Sequence, residues 1–436
     1  MQHSHDALDR PGGVGRSRLL SPLKHRDFRI LWSGMTISLL GDGIFLVAIA
    51  WETYTLWNAP AALSIVSIGM TVPMIAFLLL GGVVSDRRDR RAVMACADAL
   101  RAVAVAMLAV LVLADAVRFW ELVVLVAAYG AGTAFFTPAF EAIVPDLVPA
   151  EDLPAANALD QFVRPIALRL IGPVVGGALV AISAGFAFAI DAASFAATLV
   201  SVLALRASPA RGAHESTRAA LTEGFRFVRR RVWLWGTLVS AALAYLVFLG
   251  PAEVLLPFVV KNDLHASADT LGLVLAAGGL GAVGAATLMG GRGHPRRDVT
   301  VMYATWTLAT LALAGYGLAR AAWQLMIACF VFNALEAAGT IVWATIKQRH
   351  VPGALLGRVS SLDWLISIAL MPVSFAVTAP VAGALGARTT LVGAAVLGGV
   401  ITLAAYFLPG MRDIEQPDSL DVPLVPPLAA DVAGRS

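Results

Sequence analysis

Between Gly132 and Gly176 the chain carries Gly132-Thr133, Val144-Pro145, Pro165, Pro173-Val174 and Gly176, and the same residues return as Gly339-Thr340, Val351-Pro352, Pro372, Pro380-Val381 and Gly383. The separation is 207 residues for every pair, nearly half of the 436-residue chain. These positions fall inside long apolar segments or at their ends. A hydrophobic chain built as two copies of one helical bundle is the pattern of a secondary transporter, which places its site between the copies.

Composition points to a chain solvated by lipid. Apolar residues make up 58% and charged residues 14%, with a mean hydropathy of +0.78, whereas a soluble domain carries about 25% charged residues. Residues 1–25 are polar and basic, with no apolar core ahead of a small-residue cleavage site. The first hydrophobic segment is therefore expected to act as its own insertion signal. Cys96 and Cys329 lie within apolar segments, so no disulfide framework is implied. The histidines (His3, His5, His25, His214, His265, His294 and His350) sit in tails, loops or at helix ends, which argues against an intramembrane metalloenzyme.

A spanning helix needs about 20 apolar residues. Twelve such segments are expected, at 27–57, 61–84, 92–114, 119–144, 157–181, 185–206, 233–260, 269–290, 299–318, 321–347, 355–385 and 389–409. They divide the chain into a tail 1–25, a six-helix bundle 26–206, a linker 207–232, a second bundle 233–409 and a tail 410–436. The linker's second half, from Leu221 to Arg231, mixes Phe and Val with a block of Arg, a pattern suited to a helix lying on the membrane surface. The last tail is Pro-rich and acidic and is expected to be disordered.

Lys and Arg set the orientation. With both termini in the cytoplasm, 25 of the 32 basic residues fall on that side, and only Arg118, Lys261, Arg320 and Arg388 fall in outer loops. That is a positive-inside pattern. The net charge of +3 then reflects topology and contact with anionic lipid, and nucleic acid is not an expected partner.

The loop after segment two reads Gly82-Val83-Val84-Ser85-Asp86-Arg87-Arg88-Asp89-Arg90-Arg91. It resembles the signature loop of the major facilitator superfamily, in which a Gly is followed four residues later by Asp-Arg and then a basic pair. The usual central Gly is Asp89 here, as is common in the superfamily's macrolide-efflux and enterobactin-exporter branch. The residue types have physical reasons. Gly82 lets two helices approach closely, and Asp86 can accept from the open N-terminus of a partner helix. The resemblance implies that this partner is segment eleven, starting at Gly357-Arg358, and that the loop acts as a cytoplasmic gate. Arg87, Arg90 and Arg91 supply its basic side, with Glu141 and Asp146 within reach at the end of segment four. Gly172-Pro173-Val174-Val175-Gly176-Gly177 is similar to a helix-bend element of facilitator antiporters, although position 168 is Leu where the fuller pattern has Gly. Tight packing alone would also explain that element. Phe135-Phe136-Thr137-Pro138-Ala139 and Val144-Pro145-Asp146-Leu147-Val148-Pro149 resemble the same exporter branch.

Ionisable groups at bilayer depth are functional candidates by default. Asp42, between two glycines in segment one, and Glu336, in segment ten, are the leading proton-coupling candidates. A carboxylate removed from water holds its proton more tightly, as a proton-loading site requires. Arg169 is the expected internal counter-charge or contact for an anionic group, and Arg164 is expected to pair with Asp160. Glu52, Glu253 and Asp191 complete the cavity candidates. Asp98 and Arg101, three apart in segment three, are expected to neutralise each other.

The expected fold is an all-α integral membrane protein of twelve transmembrane helices in two pseudo-symmetric six-helix bundles. The resemblance implies a monomeric inner-membrane carrier, multi-pass with both termini cytoplasmic. It would export amphipathic small molecules of drug, antibiotic or siderophore type in exchange for protons. No cofactor or metal is expected beyond the proton gradient, and the partners are substrate, protons and membrane lipids. An uptake carrier or uniporter of the same fold, and a non-transporting membrane sensor, are the rival readings. An enzyme is not expected.

Overall fold

The computed structural model describes residues 20–149, 151–206, 224–290 and 297–415, apart from the side chains at 79, 86, 290, 353 and 354. The expectations for most of both tails, for the first part of the linker and for the Asp86 carboxylate lie outside the described residues. Lipid offers backbone groups no hydrogen-bond partner, so a spanning chain must satisfy them within helices. The twelve apolar helices are α1 Arg26–Leu56, α2 Pro60–Arg87, α3 Arg90–Leu113, α4 Phe119–Leu147, α5 Leu153–Ile182, α6 Ala184–Leu203, α7 Val232–Asp263, α8 Ala268–Gly290, α9 Asp298–Leu318, α10 Ala322–His350, α11 Leu355–Leu385 and α12 Ala387–Tyr406. They make the chain a multi-pass membrane protein.

The twofold repeat is visible in the packing. In the first half α2 packs on α4, α3 on α6 and α1 on α6; in the second, α8 packs on α10, α9 on α12 and α7 on α12. Between the halves α5 packs on α8 and α2 on α11, a pair that the same twofold relation exchanges. The helix breaks also correspond. Pro165 and Pro173 flank a π turn at Ile166–Ile171 in α5, and Pro372 follows a break at Leu370 in α11. Proline lacks the N–H that would continue the ladder. The α7 helix carries two more π turns, Pro251–Leu255 and Val259–Asp263.

One end of the bundle bears Arg87 to Arg91, Lys347 and Arg358; the halves meet at the other. There Tyr54 Oη donates to the Val254 carbonyl at 2.7 Å, and the side-chain amides of Asn58 and Asn262 bond each other at 2.6 and 2.9 Å. Lys261 Nζ donates to Thr55 Oγ1 at 2.7 Å and stands 5.1 Å from the Trp51 ring. Below this contact α5 and α8 touch backbone to backbone: a Cβ at Gly272 would lie 2.3 Å from the Pro173 carbonyl oxygen. At the basic end the halves stand apart. A Cβ at Gly82 or at Gly357 would meet nothing within 4 Å. The expected close approach of α2 and α11 at Gly82 is therefore not seen among the described residues.

Of the linker, the structure describes residues 224–232. Residues 224–229 are helical, but Phe227 and Val228 are buried in the second half. Gly224 faces Arg358 and Leu362 of α11. Phe227 and Val228 of this turn are thus covered by protein, while Phe225 is exposed.

The turn Ser21–Lys24 is tied to the start of α5: Ser21 Oγ donates to Asp152 at 2.5 Å, and His25 Nε2 lies 2.9 Å from the same carboxylate. The bonds from Ser21 and His25 hold the Asp152 carboxyl below its ordinary value. A depressed folded value stabilises above the unfolded pKa and is lost as pH falls through the folded one. The turn should stay docked at neutral pH and release only in acid, below about pH 4. A spin label at Leu20 should report that release, and Asp152→Asn should show it already at neutral pH. Separately, Gly272→Val should push α5 and α8 apart at a cost of about 1–3 kcal/mol. Disulfide formation between cysteines placed at positions 58 and 262 should then slow markedly, and unchanged cross-linking would contradict the packing.

Candidate functional site

Charged groups inside the bundle gather at three places. The first is within the N-terminal half. Gly41 brings α1 against α6 so closely that a Cβ there would lie 2.4 Å from Asp191 Oδ1, which sets Asp191 beside Asp42. Tyr129 Oη, from α4, donates to Asp42 Oδ1 at 2.6 Å, and its ring stacks on Phe45 at 4.5 Å. From α3, Arg101 pairs with Asp98, and its guanidinium lies 4.4 Å from the ring centres of both Phe136 and Phe195. Its charge also acts on Asp42 and Asp191. Asp98, Arg101 and Asp191 are buried, and Asp98 Oδ2, Asp191 Oδ2 and Arg101 Nε have no hydrogen-bond partner. The pair expected to neutralise itself is thus shared among three carboxyl groups.

The second place lies where the halves face each other. The π turn of α5 turns the Arg169 carbonyl onto α8, where a Cβ at Gly279 would fall 2.4 Å away. The Arg169 side chain is exposed, and among the described residues its guanidinium forms no hydrogen bond or ion pair. Its charge acts on Glu253 and Tyr245 of α7. Arg169 was the expected counter-charge, but the cationic charges that act on Asp42 are those of Arg101 and then Arg164, while that of Arg169 acts across on the C-terminal half. The reason is rotational: Arg169 and Arg164 sit on opposite sides of a helix break. Arg164 pairs with Asp160 at 3.4 Å, and its charge also acts on Glu141. Glu52 belongs to the closed end, within the field of Lys261.

The third place is a cavity of about 350 Å³ enclosed by α7, α9, α10, α11 and α12. Thr340 Oγ1 donates to Glu336 Oε1 at 3.0 Å. Lys347 Nζ and Trp343 Nε1 both donate to Asp363 Oδ2, at 2.5 and 2.9 Å. Asp42 and Glu336 therefore lie in different halves with separate partners. Sequence reasoning missed Asp363, Lys347 and Tyr129; a lone carboxylate inside the eleventh apolar run was a visible signal for Asp363.

At the basic end Arg90 Nη1 donates to Asp146 Oδ2 and to the Ala142 carbonyl, both at 2.7 Å, tying α3 to the end of α4. Arg91 donates to the Leu203 carbonyl at the end of α6, where a helix dipole favours a cation. Asp89 caps α3 through the Arg91 N–H at 3.0 Å, which gives the departure from the usual Gly a local purpose. Arg87 and Glu141 are exposed. In the helix-bend element Gly172 and Gly176 lie against α1, and Gly177 against α8, so α5 is held between them.

The profile of the transmembrane secretion effector family matches residues 17–436. The multidrug efflux pump Tap of Mycolicibacterium fortuitum is 28% identical over 412 residues, covering 88% of this chain and 96% of that protein. The enterobactin exporter EntS of Citrobacter koseri is 28% identical, covering 91% and 96%. Macrolide efflux protein A of Streptococcus pyogenes is 23% identical, covering 90% and 97%. Among solved structures, the nucleoside transporter NupG superposes with a TM-score of 0.68 at 12% identity, covering 88% of this chain and 100% of that one. A bacterial homologue of the human lysosomal transporter Spinster, inward-facing and unoccupied, gives a TM-score of 0.65 at 16% identity, covering 90% and 98%. These two share the fold. The chain belongs to the transmembrane secretion effector family, in the efflux branch of the major facilitator superfamily, a group of transporters and not enzymes.

Proposed function

We propose that this chain exports amphipathic small molecules from the cytoplasm in exchange for protons, by alternating access. The observation that carries the reading is the distribution of charge: acid groups outnumber fixed cations in the N-terminal cluster, and among the described residues Glu253 and Glu336 lack an ion pair in the other half. The names of the relatives, all exporters or efflux proteins, support export over uptake. The positive-inside pattern supports placing the basic end and both termini in the cytoplasm, and the bacterial efflux relatives support the inner membrane; a monomeric carrier completes the proposal. In that orientation the splayed end faces the cytoplasm, as a carrier awaiting cargo requires.

Asp42 and Glu336 are the proposed proton carriers, with Asp191 and Glu253 as neighbouring acid groups. The loop of Gly82, Asp86, Arg87, Arg90 and Arg91 is the proposed cytoplasmic gate, closing on Gly357 and Arg358 when the halves swing together. A helix-end contact of this kind is worth about 0.3–2 kcal/mol, enough to tilt a two-state equilibrium.

In proteoliposomes, substrate-dependent proton movement across a panel of amphipathic compounds should be lost in Asp42→Asn/Glu336→Gln, with insertion and unfolding behaviour unchanged. Coupling at the parent level in that double variant would contradict the assignment. Arg169→Ala should insert and fold but transport at least about tenfold more slowly, a loss of about 1.4 kcal/mol of transition-state stabilisation. Arg164→Ala, which breaks only a half-exposed pair, should change transport little. Equal effects of the two substitutions would argue against a cleft role for Arg169.

A further inference from the structure

The basic turn that leads into α7 has two unlike faces. Residues 224–229 are helical, so side chains four apart share a side. Gly224, Phe227 and Val228 are buried, and a Cβ at Gly224 would lie 3.2 Å from Arg358 Cβ and 3.4 Å from Leu362 Cδ1 of α11. Arg231 closes that side: its guanidinium stands 3.7 Å from the centre of the Phe227 ring and donates to the Phe227 carbonyl. The other face holds Phe225, Arg226, Arg229 and Arg230, all exposed. Among the described residues Arg226, Arg229 and Arg230 form no hydrogen bond or ion pair. Because the buried side fixes the turn to the second half, the three guanidinium groups are presented outward without a loop having to be ordered first.

An apolar track begins directly after them. Val232 opens α7, so the turn sits where the chain enters lipid. Trp235, Val239 and Leu243 then follow as exposed residues at four-residue spacing along α7. Beside them Gly236 admits the end of α12: a Cβ there would lie 2.7 Å from Met411 Cε and 3.3 Å from Leu408 Cδ1. Leu408 is itself exposed and borders the track. Fixed positive charge above an apolar strip, with aromatic rings at the boundary, is complementary to a lipid that carries a net negative headgroup. A guanidinium pairs phosphate oxygens through two parallel N–H donors, and basic residues at a membrane edge draw anionic lipid. A zwitterionic choline headgroup would bring its own cation to the same place and lose most of that gain.

We propose that this turn and the start of α7 form a binding site for an anionic phospholipid, with Arg226, Arg229 and Arg230 on the headgroup and an acyl chain along Trp235, Val239 and Leu243. The inference stands apart from the transport reading, since it needs only the basic turn and the helix that follows it.

The test places a bimane fluorophore on Leu243→Cys in a Cys96→Ser background, Cys96 being exposed and Cys329 buried. The full chain is reconstituted in phosphatidylcholine nanodiscs assembled with increasing fractions of phosphatidylglycerol or phosphatidylcholine that carries a nitroxide on one acyl chain. Quenching then reports which lipid resides against the track. Phosphatidylglycerol should reach half-maximal quenching at a mole fraction at least about fivefold lower. The same fluorophore on Val110→Cys, an exposed position of α3, should be quenched alike by both lipids. The preference should vanish in Arg226→Gln/Arg229→Gln/Arg230→Gln. In the parent sequence, which needs no substitution in the turn, it should weaken as salt screens the exposed charges, and inorganic phosphate at constant ionic strength should leave it unchanged. Equal quenching by the two lipids at Leu243→Cys, a preference of the same size at Val110→Cys, one that survives the glutamine variant or high salt, or one that inorganic phosphate removes would each overturn the proposal.

Discussion

Direct backbone contact between α5 and α8 is the constraint on which the arrangement of the halves depends. Gly272 faces the Pro173 carbonyl and Gly279 faces the Arg169 carbonyl with no room for a side chain on either glycine. Such small-residue seams bring helices together in lipid, where apolar side chains gain little from leaving one hydrocarbon for another. The π turn at Ile166–Ile171 lies in the same seam. It presents the Arg169 carbonyl to α8 while the guanidinium reaches the field of Glu253 and Tyr245. One short stretch of α5 therefore sets both the closure of one end and the charge of the cleft.

The two halves use charge differently although they share one pattern of helix pairing. In the N-terminal half the charges are buried against aromatic rings, with Arg101 between Phe136 and Phe195. Removing one member of a buried pair costs about 3–5 kcal/mol, so this cluster is tied to stability as well as to protons. In the C-terminal half Glu336 and Asp363 border open volume.

The number and ends of the helices were legible because lipid imposes length, polarity and satisfied backbone on every span. The repeat survived as glycines and prolines, Pro165 with Pro372 among them, since each marks a helix break that side-chain drift cannot replace. Asp42, Glu336 and Arg169 stood out as charges within apolar runs. Their partners did not. Which charge meets which depends on helix rotation and on the π turns, so Arg101 reaching Asp42 from another helix left no trace in spacing along α3. Tyr129 was hidden for a different reason: a tyrosine in an apolar span looks like packing until its hydroxyl is seen on a carboxylate. The Gly82 contact is not seen among the described residues, where a Cβ at Gly82 would meet nothing within 4 Å.

The central claim is that the halves rock about the α5–α8 and α2–α11 seams so that the two ends open in turn. Spin labels at Arg88 and Gln348 report the basic end, and labels at Asp115 and Arg320 report the opposite end, each pair spanning the two halves at exposed positions. Distances measured by electron resonance in nanodiscs, with and without a transported compound and across pH, should shorten at the first pair as they lengthen at the second. Distances that stay fixed, or that change in the same direction at both ends, would contradict the account.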